Sequence, residues 1–161
     1  MALLDSLRAF LLGILALGLS LLPAGRGHAD TTQAVCDPTS APYAEVQIDP
    51  LPRVALEIAR TPQEHQVGLM YRPSLDPDSG MLFVYDRPAT EGYWMHDTLV
   101  PLSIAWIDRD GTIVDIQDMQ PLTDDVHYPA ASYWYALEVN QGWFYEHGVG
   151  VGQQVLFCLD S

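Results

Sequence analysis

The sequence predicts a mainly β domain, sandwich-like or barrel-like, with one or two short helices that place it at the margin of the α+β class. Three observations predict it. Apolar residues recur in short alternating or unbroken runs, the pattern of strands. Turn signals built on Gly, Pro and Asp arrive about every dozen residues. Only two stretches carry helix-start signals, so strands must bury most of the core.

The elements follow in order. Residues 1–29 combine a head carrying Arg8, an apolar run from Ala9 to Leu22, Pro23 and the small-residue stretch Gly27-His28-Ala29. This is the pattern of a secretory signal peptide cleaved after Ala29. The run falls short of the ~20 residues of a membrane span, and retention as an anchor is the alternative. Residues 30–43 read as an extended lead-in, and 44–161 as a single β-rich domain. Arg53 to Arg60 alternates so that Val54, Leu56 and Ile58 share one face of a strand. Thr61-Pro62-Gln63-Glu64 is a capping box with Pro at the first helical position, predicting a helix from Pro62 to Met70, stopped by Pro73. Further strands are expected over Met81–Tyr85, Gly92–His96, Leu102–Asp108, Thr112–Asp118, Tyr133–Val139 and Gln153–Leu159. Asp108-Arg109-Asp110-Gly111 is a hairpin turn; the ligand spacing of a calcium loop is missing after it. A second helix is expected from Asn140, as cap, to His147, ended by Gly148.

Beyond residue 29 the chain holds 20 acidic residues, five arginines and no lysine. Such a polyanion is repelled by phosphate backbones and anionic lipid, so nucleic acid and membrane-surface partners are not expected. The expected partner is a small molecule or a component of the cell envelope, the expected state a monomer, the location periplasmic or extracellular. In an exported chain Cys36 and Cys158 predict one disulfide joining the two ends of the domain.

Several distinct phrases stand in order along the chain: Gly68-Leu69-Met70-Tyr71-Arg72, Gly80-Met81-Leu82-Phe83-Val84, Trp94-Met95-His96-Asp97-Thr98 and Pro101-Leu102-Ser103-Ile104. With Leu137-Glu138-Val139, Gly142 and the run Gly148 to Gly152, they closely resemble the domain of unknown function family 192 over residues 45 to 157. The resemblance implies a compact, mainly β fold with a short helix inserted, frequent among exported bacterial proteins, and implies no reaction. His96 stands where that family usually has Lys, and Asp97 where it usually has Asn.

Read on its own chemistry, the segment Trp94 to Thr98 is where an apolar run ends in polar groups. On a strand His96 and Asp97 would diverge to opposite faces unless the chain turns between them. The candidate ligand-binding surface is Arg72, Trp94, His96, Asp97 and Thr98, with no cofactor and no assigned catalytic residue. Arg72 either pairs bidentately with Asp97 or Glu138, pinning the helix to the sheet, or captures an anionic ligand. An alternative is a metal-dependent hydrolase using His96, Asp97, Asp124, Asp125 and His127, since imidazole and carboxylate suit zinc. A purely structural envelope component is the third reading. His65 is placed on the solvent side of its helix, and no GxSxG or HExxH motif is present.

Overall fold

A computed structural model describes residues 42–46 and 52–159, which lie within one compact unit, Ala34–Ser161. Strands β1 (Tyr43–Val46) and β2 (Arg53–Ala59) are followed by helix α1 (Pro62–Val67) and strands β3 (Ser79–Ala89), β4 (Leu102–Ile107), β5 (Ile113–Met119) and β6 (Tyr133–Asn140). Helix α2 (Trp143–Glu146) and strand β7 (Val155–Cys158) complete the order. The seven strands form one curled sheet, a half-barrel in the order β5-β4-β6-β3-β2-β1-β7. The mainly β expectation holds, and its barrel-like form is the one adopted. All pairings are antiparallel except β2 with β3. Parallel neighbours need a crossover, and α1 with the loop after it supplies that connection.

The sheet is buried on both faces. Leu102, Ile104 and Trp106 of β4 join one core cluster, while Ala105 and Ile107 join the other, so the whole strand is buried. Trp143 and Phe144 of α2 pack into the cluster of Ala105 and Ile107, with Leu137 and Val139. Leu69, Tyr93, Met95 and Val100, all from loops, cover the opposite face over Phe83 and Trp106. Loops rather than helices therefore roof the face on which the polar cluster lies. Val54 and Leu56 are buried and Ile58 is partly so, as the alternation in β2 requires.

Local chemistry explains most boundaries. The Thr61 hydroxyl accepts from Glu64 N at 3.2 Å and the Glu64 carboxylate accepts from Thr61 N at 2.8 Å, completing the capping box. The helix ends sooner than its apolar pattern suggests, because Gly68 takes a positive φ of 47° and turns the chain. In the hairpin between β4 and β5 the Asp108 carboxylate accepts from the amides of Asp110 and Thr112, a structural use of the acid.

Five expectations need correction. Gly92–His96 is not a strand: it makes a single antiparallel bridge, Tyr93 to His127, and then turns at His96 and Asp97. The lead-in reading of 30–43 gives way at Tyr43, which already belongs to β1. Asn140 ends β6 and does not cap α2; its side-chain amide donates to Asp76 O at 2.8 Å, and Gly142 takes the cap position. His65 faces the sheet, with Nε2 3.1 Å from Ala59 O and its ring on Phe83 and Tyr85. Arg72 pairs bidentately with Glu57 of β2 and with neither Asp97 nor Glu138. The signal peptide, most of the lead-in and Cys36 lie outside the described residues. Among the described residues no helix is long and apolar enough to cross a membrane.

Candidate functional site

Three loops meet over the roofed face of the sheet: Gly68 to Arg72, Trp94 to Leu99 and Leu122 to His127. Backbone bonds lock them together, Tyr71 N donating to Asp97 O at 2.9 Å, Leu122 N to Thr98 O and Met95 N to Thr123 O at 3.1 Å each. Tyr71, Asp97 and Leu122 have φ of 63°, 53° and 58°, the left-handed region that side chains other than Gly enter at a cost of about 1–2 kcal/mol each. These are the three such residues among those described, and each stands at a junction between the loops. The turn at Asp97 is what allows His96 and Asp97 to approach each other.

The exposed layer is an aromatic and ionic network. The His96 ring stacks on Trp94 with centroids 4.8 Å apart and 17° between planes. His96 Nδ1 lies 2.7 Å from Asp124 Oδ1, and Nε2 lies 3.6 Å from Asp97 Oδ2. The Asp124 hydrogen bond raises the His96 pKa above 6.5, with Asp97 adding a smaller push in the same direction. Asp97 also accepts from Tyr71 Oη at 2.8 Å.

Below this layer the geometry changes character. A cavity of about 40 Å³ is lined by Leu69, Phe83, Tyr93, Trp94, Thr98 and Glu138. Glu138 lies mid-strand in β6, opposite Met81 of β3 on one side and Ile104 of β4 on the other. It alternates with Leu137 and Val139, so it points to the roofed face, where it is 5% exposed. No donor or cation among the described residues offsets its charge, and burial alone pushes its carboxyl up to about 8. An unpaired buried carboxylate is among the most costly groups a core can hold. Trp106, which pairs with Ala136 two residues before Glu138 in the β4–β6 ladder, has a buried indole N–H without a hydrogen-bond partner among the described residues. Tyr93 is held well above its ordinary pKa by burial, and its hydroxyl meets that of Tyr85 at 2.9 Å.

The sequence candidates therefore divide. Trp94 and Thr98 line the cavity, His96 and Asp97 form the layer outside it, and Arg72 is spent on Glu57. Of the metal set, Asp124 meets His96, but the His127 ring turns to Gln117 Oε1 at 3.2 Å. Among the described residues no group of three or more His, Cys, Asp or Glu side chains is arranged to hold a metal ion. The sequence offers Glu138 as part of the Leu137-Glu138-Val139 phrase and as a possible partner of Arg72, not as a site residue. The signal that marks it is an acid inside the apolar run Tyr133 to Val139, where a central strand has no room for a solvated charge. A wider groove of about 730 Å³ opens between Arg60, His65, Tyr85, Arg87 and Glu91. Its Arg87 is neutralised by Glu91 at 2.8 Å, so chemistry favours the smaller cavity.

Comparison with known proteins bears on the whole domain. No curated protein matches. A solved structure from Sinorhizobium meliloti 1021, named "putative transcription regulator", is 29% identical with a TM-score of 0.69, covering 73% of this chain and 94% of its own. A protein of unknown function from Novosphingobium aromaticivorans DSM 12444 is 26% identical with the same TM-score and coverage. The family profile of DUF192, described as an uncharacterized ACR, matches residues 44–157, and the chain belongs to that family.

Proposed function

We propose that this protein is an exported, cofactor-free module of the cell envelope that binds a small ligand in the cavity beneath Trp94. The observation that carries the reading is Glu138: a carboxyl group 5% exposed, without a partner among the described residues, lining a cavity between aromatic walls. A purely structural domain gains nothing from such a group, since an apolar residue there would be more stable. A binding site does, because a perturbed titratable group in a cleft is the usual mark of one. Export is supported by the signal-peptide pattern of residues 1–29.

The name carried by the S. meliloti structure brings transcription regulation forward as a competing role. Charge weighs against it, since 20 acids against five arginines beyond residue 29 disfavour contact with a phosphate backbone.

The test is a nuclear magnetic resonance titration of the ¹⁵N-labelled protein with small amines, carboxylates, alcohols and zinc chloride. Saturable shifts at Gly68, Trp94 and Thr98, reduced in Trp94→Ala, are expected from at least one organic class. Shifts confined to His96 and Asp124 with zinc would replace the reading with a metal site. Absence of saturable shifts at the cavity with every organic class would end it.

A further inference from the structure

We infer that the cavity beneath Trp94 recognises the ammonium group of an amphiphilic organic cation, with Glu138 as the anionic end and exposed apolar side chains around the mouth receiving the carbon chain. The inference rests on the cavity being a ligand site and names the class of ligand it takes. Four features agree on a cation. Glu138 is an acid without a partner among the described residues, more than nine-tenths buried, and it lines the cavity. Phe83, Tyr93 and Trp94 wall the same space, and aromatic faces attract cations through their quadrupoles. The outer layer carries Asp97 and Asp124, and the full chain has a formal charge of −14, so cations are concentrated at the mouth and anions repelled. A volume of about 40 Å³ admits a group of the size of an ammonium head but not a whole ligand, so the remainder of the molecule must lie outside.

What lies outside suits a carbon chain. Val67, Trp94 and Leu99 are large apolar side chains about half exposed, and Tyr71 and Leu122 are more so. Val67 and Trp94 line the cavity itself, and Tyr71, Leu99 and Leu122 stand on the loops that adjoin it. Single exposed apolar residues are ordinary, but several around one charged cavity form an amphiphilic receptor. A neutral ligand accepting a proton bond from the acid form of Glu138 would use the floor without using the aromatic walls or the anionic mouth.

The experiment is a titration of the whole protein at about pH 8.5, above the value of about 8 at which Glu138 ionises, with butylammonium, butanol and butyrate and with ammonium as the chainless control, read by the amide shifts of Gly68 and Thr98 and the Trp94 indole. Butylammonium is expected to bind at least about tenfold more tightly than butanol, with butyrate weaker still. Glu138→Gln, isosteric and uncharged, should remove that preference. Trp94→Ala, at a half-exposed position, should weaken butylammonium more than it weakens ammonium. Equal or tighter binding of butanol or butyrate would overturn the cation assignment while leaving the cavity as a ligand site. Binding of butylammonium that is unchanged in Glu138→Gln would also overturn it. Binding of none of the three at these residues would remove both this inference and the ligand-site reading.

Discussion

At the scale of the residue, Glu138 couples the site to stability. Its carboxyl is raised from an ordinary value near 4.5 to about 8 by burial. Between those values the unfolded chain is ionised while the folded one holds the proton, so the folded state binds more protons and loses stability as pH rises. The loss accumulates from about pH 4.5 to about pH 8, on the order of 4 to 5 kcal/mol in all, and is flat above. Glu138→Gln should remain more stable than the parent at pH 8 and lack most of this slope, as measured by denaturant midpoints at several pH values. A parent slope that survives the substitution would show that Glu138 is not its source. His96 has the same sign, though its cause is attraction to an acid and not burial. Its pKa is raised by Asp124, so the ion pair is present at low pH and disappears as pH climbs through the folded value above 6.5. Its imidazole resonances should titrate above 6.5 in the parent and move back toward that value in Asp124→Asn. Both acids are plain in the sequence. Their consequences are not, because a pKa depends on what surrounds the group in three dimensions.

At the scale of the element, β3 and β6 approach each other closely beside the site. A Cβ at Gly80 would stand 2.4 Å from Glu138 O and 3.0 Å from a Val139 methyl. The first of these is backbone and cannot move aside without disturbing the ladder. Gly80→Ala should cost about 1–3 kcal/mol in a urea unfolding curve, the usual penalty of overpacking, and should displace Glu138. An unchanged midpoint would mean that the two strands have slack. The Gly80-Met81-Leu82-Phe83 phrase was visible as a strand from its apolar run, yet the need for Gly arises only from the partner strand. The element misjudged was Gly92–His96, whose alternation suits a strand. Each end is held by one loop-to-loop link, Tyr93 to His127 and Met95 N to Thr123 O, so the segment serves as a roof and needs no ladder.

At the scale of the whole molecule, the half-barrel has edges β5 and β7, and the β4–β5 hairpin reaches across to meet the second. Thr112 bridges Gln154, and Val155 N donates to Gly111 O at 2.8 Å, so the exposed edges are partly closed against pairing with other chains. The charge of the whole should be felt as self-repulsion: raising sodium chloride from about 10 mM to about 500 mM is expected to raise the thermal midpoint, because screening acts on a large excess of acids. A falling midpoint would give the dominant role to the ion pairs of Arg53, Arg72 and Arg87. Strand β1 runs antiparallel to β7 with Tyr43 opposite Cys158, which brings the chain seven residues after Cys36 alongside the second cysteine. A Cys36–Cys158 disulfide would close a loop of about 120 residues and stabilise by up to about 4–5 kcal/mol. Peptide mapping without reductant should find that linkage, and reduction should lower the unfolding midpoint; two free thiols would remove the clasp.

The sequence by itself determined the β class, most strand positions, the capped helix, the Asp108 to Gly111 hairpin and the family. The first four are set by local periodicity and turn chemistry, which the chain carries wherever it goes, and the family by the resemblance of its motifs. Only the tertiary structure decided that Arg72 belongs to Glu57, that His96 and Asp97 share a turn, and that Glu138 lines a cavity without a partner among the described residues. Each of those depends on which distant residue arrives beside it, and the cost or use of a charge is decided by that neighbour.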